Sequence, residues 1–218
     1  MPKNIVEDFL PDTLPDNPMQ MVEDWLADAR AAANQPNSNA MTLATTDKNG
    51  QPSARIVLCK GFDAKTGTLD FYTNYTSRKS GELSANDKVA VVFHWDHQSR
   101  QIRIEGIAER VSAAVSDNYF GSRHRDSQIG AWASDQSQPI DSRSAMEDRY
   151  AANRQKFSSN DVVPRPPHWG GFRIWASACE LWVEGAGRVH DRARFSRPLS
   201  TDGEHFSTGD WQGTRLQP

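Results

Sequence analysis

A chain of 218 residues fits one globular domain with terminal extensions. Its formal net charge of −3 gives no global reason to bind nucleic acid, so any anion site has to be built locally. No apolar stretch approaches a membrane span, the longest candidate, Val89 to Trp95, being far too short.

Hydrophobic residues make up 37% of the chain, lean for a compact monomer, while seven Trp and nine Phe supply large burial each. A lean, aromatic-rich chain that completes its core against a second copy of itself is the expectation, hence a homodimer. The two cysteines, Cys59 and Cys179, stand at no metal-ligand spacing and form no disulfide framework; buried reduced thiols in a cytoplasmic protein fit them. The opening MPKNIVEDFLPD is acidic and lacks the apolar run of a signal peptide.

Residues 1–16 carry three prolines and several acids and read as an irregular arm, leaving 17–218 as a single domain. Asn17 is a good N-cap, with Pro18 at the first helical position and Gln20 completing a capping-box pattern. Met19, Val22, Trp25, Leu26 and Ala29 then recur at helical spacing and predict one buried stripe. From Ala40 the period changes: MTLATT and Ser53 to Lys60 read as a hairpin closed near Asn49-Gly50. Strands follow near 68–73, 89–95 and 100–110, with a short helix over 77–86 between the first two. The segment 112–156 is helical in character, broken near Gly121 and Pro139. After the rigid PRPPHW turn, strands resume at 171–176, 179–184, 189–196 and near the C-terminus, with a polar loop over 197–210. Many antiparallel strands with inserted helices, and no βαβ alternation, argue for a mainly β fold: a closed or partly closed barrel with helical decoration.

Four clusters hold the candidate chemistry. Arg55 and Lys60 end an apolar strand on opposite faces, which suits two different anions or two solvated strand ends. Tyr72, Thr73, Asn74, Ser77, Arg78 and Lys79 bring hydroxyls and cations to a helix start, a plausible phosphate cradle, though charged helix starts are common. Tyr119, Arg123 and Ser127 would line one face of a helix if it persists through Gly121, suiting a phosphate monoester or an ordinary surface Tyr–Arg contact. Arg188, His190 and Arg192 would share one strand face, where burial requires anionic partners; a water-facing edge strand is the alternative. His190 has no second His or Cys at ligand spacing, so no metal is expected.

In order and spacing these clusters resemble the pyridoxine/pyridoxamine 5'-phosphate oxidase family. The matching stretches are RIVLCK (55–60), FYTNYTSRK (71–79), RQIRIEGIAER (100–110), YFGSRHRDSQIGAW (119–132), Gln136-Ser137, HWGGFR (168–173), ELW (180–182), RVHDR (188–192) and RLQP (215–218). The resemblance implies an FMN-binding split β-barrel, a homodimer with two FMN sites at the subunit interface, and a C-terminal segment serving dimerisation and substrate. It implies that Arg55, Tyr72, Thr73, Arg78 and Lys79 hold FMN, chiefly its phosphate end, and that Gln101, Gln136, Ser137, Trp182 and Arg192 also contact it. Lys60, Tyr119, Arg123 and Ser127 would bind the substrate phosphate. Arg188 and His190 would sit over the substrate ring as the catalytic pair. The implied reaction is oxidation of pyridoxamine or pyridoxine 5'-phosphate by O2 to pyridoxal 5'-phosphate and hydrogen peroxide. Relatives acting on other substrates, such as a phenazine precursor, should keep the flavin residues and lose the B6-phosphate set. A non-catalytic carrier of FMN or pyridoxal phosphate would bind without oxygen-dependent turnover. The chain departs from the family in its arm, which is acidic where members often have a basic lid, and in the length of the 197–210 loop.

Overall fold

The computed structural model describes residues 9–159, 162–203 and 205–218. The first eight residues of the expected arm lie outside the described residues; residues 9–16 form no helix or strand, yet Leu10 is buried and its N–H donates to Asp191 at 2.8 Å.

Helix α1 (Met19–Ala32) buries the five residues of its expected stripe. Asn17 caps it by accepting the Met19 N–H at 2.9 Å. The reciprocal half of a capping box is missing, because the Gln20 amide donates to Glu23 and Asp24 instead of reaching back. Strands β1 (Ala40–Thr46) and β2 (Pro52–Leu58) form the expected hairpin. Asp47 organises its turn by accepting the N–H groups of Asn49 and Gln51, and Gly50 supplies the left-handed residue at φ 85°.

The remaining elements are β3 (Gly61–Asp63), β4 (Thr68–Asn74), α2 (Arg78–Ala85), β5 (Lys88–Trp95), β6 (Arg100–Arg110), α3 (Ala113–Ser122), α4 (Arg125–Ala133), α5 (Arg143–Lys156), β7 (Trp169–Val183), β8 (Asp191–Ser196), β9 (Leu199–Thr201), β10 (Phe206–Thr208) and β11 (Gln212–Leu216). The main sheet is antiparallel in the order β11-β8-β7-β6-β5-β1-β2, with β4 also on β7 and β3 on β4. Strand β7 organises it. One edge pairs with β6 along its length, while the other is shared, its first half by β4 and its second half by β8. Among the described residues β2 pairs only with β1, so the curled sheet stays open between β2 and β4.

Three sequence expectations need correction. The strands expected at 171–176 and 179–184 are one strand, because a register shift opposite Glu105/Gly106 absorbs the irregularity without ending the ladder. Gly106 is required there: a Cβ would stand 2.1 Å from the Trp175 carbonyl oxygen. The first break in the helical region lies at Arg123–His124 and not at Gly121, which stays inside α3, while the second, over 134–142, contains Pro139 as expected. The polar 197–210 segment contains the small β9–β10 hairpin.

Alternation along the strands puts residues such as Met41, Leu43, Phe71, Phe93, Ile102 and Leu181 inside the barrel, all buried, each stabilising the fold by roughly 1.5–3 kcal/mol. A second cluster, Phe120, Ile129, Phe157, Val163 and Trp169, fastens the helices to the start of β7. Cys59 and Cys179 are free and buried; burial pushes both thiols up, Cys59 to about 12.

Candidate active site

The opening between β2 and β4 is a cavity of about 450 Å³. Ile56, Val57 and Leu58 of β2 form one wall, Tyr72, Thr73 and Asn74 of β4 another, and α3–α4 close the third with Tyr119, Arg123, Ser127 and Gly130. Lys60, Lys79, Gln136 and Trp169 complete it. Two glycines make the β4 wall possible. A Cβ on Gly170 would lie 2.2 Å from the Tyr75 hydroxyl and one on Gly171 2.7 Å from the Tyr72 ring, so only glycine lets these tyrosines lie across β7.

Tyr72 and Tyr119 stack at 3.9 Å between ring centroids, with Trp169 parallel to both. Burial, then the charge of Asp70 and the neighbouring Tyr119, raises the Tyr72 phenol to about 12; burial also raises Tyr119. Both therefore keep their protons at neutral pH and can donate. The Arg123 guanidinium lies 4.7 Å over the Trp169 ring, and its Nη1 is buried with no hydrogen-bond partner among the described residues. Burial lowers its pKa, opposed by Tyr119. A buried, unsatisfied cationic donor beside two phenols and the Ser127 hydroxyl suits an anion.

Tyr119, Arg123 and Ser127 do meet, but not on one helix face. α3 ends at Ser122, Arg123 is extended (φ −75°, ψ 150°), and His124 caps α4 by accepting the Asp126 N–H. The corner turns α4 so that Ile129 packs into the cluster containing Phe120, and Ser127 arrives on the cavity wall from a second helix.

At the cavity's other end Lys79 Nζ donates to Thr73 Oγ1 at 2.9 Å, to Ser77 Oγ at 3.2 Å and to Gln136 Oε1. Burial and the charge of Arg55, opposed by Glu82, lower Lys79 to about 8. Arg55 and Lys60 part as the alternation requires: Arg55 turns toward Thr45, Ser53 and Glu82, whereas Lys60 lies past the end of β2 and lines the cavity. Arg78 Nε donates to the same Glu82 at 2.8 Å. Ser137, at φ 72°, follows Gln136 but does not line the cavity.

The other expected residues form a separate group. Gln101 of β6 is the register partner of Trp182, and Trp182 of Arg192. The His190 ring lies 4.7 Å from Trp182, and its Nδ1 accepts the Gly185 N–H at 3.2 Å, which leaves the proton of the neutral ring on Nε2. Arg192 is held by Glu180, which accepts from its Nε at 3.1 Å and Nη2 at 2.8 Å. The shared strand face of 188, 190 and 192 is not formed. Gly187 and Arg188 adopt left-handed backbone (φ 65° and 67°), so β8 begins only at Asp191. Tyr72 and Thr73 pair with Gly171 and Gly170 at the start of β7, while Trp182 is near its end. The two groups therefore occupy opposite ends of one strand.

Sequence reasoning passed over Trp169, Ile56 and Glu82. Trp169 stood within the HWGGFR stretch; nothing marked Glu82, whose role depends on strands brought beside α2.

An open antiparallel barrel with a phenol- and cation-lined cleft is the architecture of the FMN-binding split-barrel proteins. PhzG from Burkholderia lata, solved with tetrahydrophenazine-1-carboxylic acid, superposes with a TM-score of 0.84 at 28% identity, over 98% of this chain and all of its own. A pyridoxamine 5'-phosphate oxidase-related, FMN-binding protein from Nostoc punctiforme superposes with a TM-score of 0.69 at 16% identity, over 95% of this chain and 99% of its own. The sequence model for pyridoxamine 5'-phosphate oxidase matches residues 27–157, and that for the pyridoxine 5'-phosphate oxidase C-terminal dimerisation region matches 169–218. Proteins named pyridoxine/pyridoxamine 5'-phosphate oxidase are 51% identical in Sphingopyxis alaskensis, over 84% of this chain and 82% of that one, and 51% identical in Bordetella avium, over 89% and 86%. The chain belongs to the pyridoxine/pyridoxamine 5'-phosphate oxidase family and is an oxidoreductase. Among the described residues no helix is long and apolar enough to cross a membrane.

Proposed function

We propose that the chain is an FMN-dependent oxidase that converts pyridoxamine or pyridoxine 5'-phosphate, with O2, to pyridoxal 5'-phosphate and hydrogen peroxide. The observation that carries this is the convergence of Lys60, Tyr119, Arg123 and Ser127 on one cavity, with a guanidinium nitrogen buried there and unpartnered among the described residues. Two cations and two hydroxyl donors match a phosphate monoester, which carries close to two negative charges and several acceptor oxygens at neutral pH.

The residues also fit FMN. Arg55, Arg78 and Lys79 gather around one carboxylate, Glu82, and so keep two net positive charges for a phosphate. When bound, FMN supplies the two-electron oxidation of the substrate carbon and passes the electrons to O2. The chain supplies position. Anchoring the substrate phosphate far from the reacting carbon spends binding energy on orientation, which can lower a barrier by roughly 7–11 kcal/mol in the best-aligned cases. Arg188 and His190 would bear on the substrate ring, His190 presenting its Nε2–H.

Because the second group lies at the far end of β7, each site would combine the β2–β4 opening of one protomer with the Trp182–Arg192 end of its partner, giving a homodimer with two sites. Both surfaces carry apolar side chains in water, Ile56 64% and Val189 69% exposed, as an unassembled interface would.

The test is to purify the chain, record flavin absorbance, and follow peroxide and aldehyde formation. Turnover with both B6 phosphates and little with their dephosphorylated forms is expected. Flavin uptake without oxygen-dependent turnover would instead identify a carrier.

A further inference from the structure

Glu82 has no expected role, yet it is the most heavily used carboxylate near the cavity. Its side chain is 4% exposed. Oε2 accepts from Thr45 Oγ1 at 2.6 Å and Arg55 Nη2 at 2.8 Å, and Oε1 from Arg78 Nε at 2.8 Å. One buried group thus joins β1, β2 and α2 and fixes two guanidiniums that the sequence places at different distances along the chain. Arg78 is 61% exposed and makes no other side-chain hydrogen bond among the described residues, so without Glu82 its side chain would range freely.

We propose that Glu82 is a positioning residue for the anion subsite at the start of α2, aiming Arg55 and Arg78 at the phosphate of a flavin nucleotide. The inference rests on the FMN reading above. It extends that reading by assigning phosphate selectivity, FMN over its dephosphorylated form, to a residue that does not itself touch the ligand. A carboxylate so close to an anion subsite looks counterproductive, but gathering three cations there, with Arg55 and Lys79 partly buried, without a counter-charge is costlier. The groups facing Lys79 are Arg55 and Glu82, with Thr73, Ser77 and Gln136 neutral. Glu82 holds up the ammonium charge that burial and Arg55 depress, so removing it does not simply add positive charge.

The experiment titrates the full chain, stripped of flavin, with FMN and with riboflavin, as wild type, Glu82→Gln and Glu82→Asp, between pH 6 and 9. Glu82→Gln should weaken FMN about tenfold, the factor of one hydrogen bond to a charged group, leave riboflavin unchanged, and move the alkaline loss of FMN affinity to lower pH. Glu82→Asp keeps the charge but is too short to reach both guanidiniums; it should weaken FMN while leaving that alkaline midpoint in place, and guards against a misfolded Gln variant. Equal weakening of FMN and riboflavin would reduce Glu82 to scaffolding, and undiminished FMN affinity would remove it from the subsite. Wild-type protein that takes up neither flavin would overturn the FMN reading and this inference with it.

Discussion

Arg123→Ala separates a binding residue from a structural one, because the two effects of the substitution differ in sign. In the unliganded protein the guanidinium gains a cation–π contact with Trp169, worth about 0.5–1 kcal/mol. Against this, its buried Nη1 lacks a partner among the described residues, a cost of about 1–3 kcal/mol. Truncation removes both, so the unliganded variant should be as stable as the wild type or more stable by up to about 2.5 kcal/mol. With a phosphate bound, the same nitrogen makes a charge-assisted hydrogen bond, and its loss should cost about 1.5–3 kcal/mol, or roughly 10- to 150-fold in affinity. Urea denaturation of the unliganded variant measures the first quantity; the Michaelis constant for pyridoxamine 5'-phosphate measures the second. A variant destabilised by several kcal/mol with an unchanged Michaelis constant and turnover would make Arg123 part of the scaffold and refute the reasoning.

Arg188 is a non-glycine residue in left-handed backbone, so Arg188→Gly should relieve about 1–2 kcal/mol of strain and lose about 0.4–1 kcal/mol to unfolded-chain entropy. Slightly raised stability by thermal denaturation, retained flavin and reduced turnover are expected; loss of flavin from the folded variant contradicts the assignment to substrate. Lys79, lowered to about 8 by burial and Arg55, should lose its charge as pH rises through that value, so FMN affinity measured by fluorescence should fall there and stay flat in Lys79→Met. The stability contribution has the opposite sign. Between about 8 and the ordinary lysine value of 10.5 the unfolded chain binds more protons, so the unliganded fold gains stability as pH rises through that window. Glu180, buried at 4% exposure and bonded to Arg103 and Arg192, should cost about 1–3 kcal/mol as Glu180→Ala in a denaturant titration; an unchanged midpoint would show that neither arginine depends on it.

Local chemistry made much of the fold legible. The stripe from Met19 to Ala29 has helical spacing and one apolar neighbour to face, so pattern and burial coincide. Alternation over 40–46 and 88–95 did the same for β1 and β5. Pattern failed where the backbone departs from its period without a composition signal. Arg123 is extended between two capped helices, Arg188 is left-handed after Gly187, and the β7 irregularity is absorbed by its partner strand at Gly106.

The order and identity of the charged and hydroxyl residues were fixed by the sequence alone, and with them the family and the chemical character of the cleft. Only the tertiary structure decided which of them share a space. Cavity walls come from β2, β4 and two helices remote in sequence, and Glu82 gains its partners only when β1 and β2 fold beside α2. The split of the expected site between the two ends of β7 is likewise a matter of register. Strand period specifies which face a side chain takes, but the distance between two residues on paired strands depends on how long-range hydrogen-bonded ladders align, and that alignment is a property of the whole packed sheet.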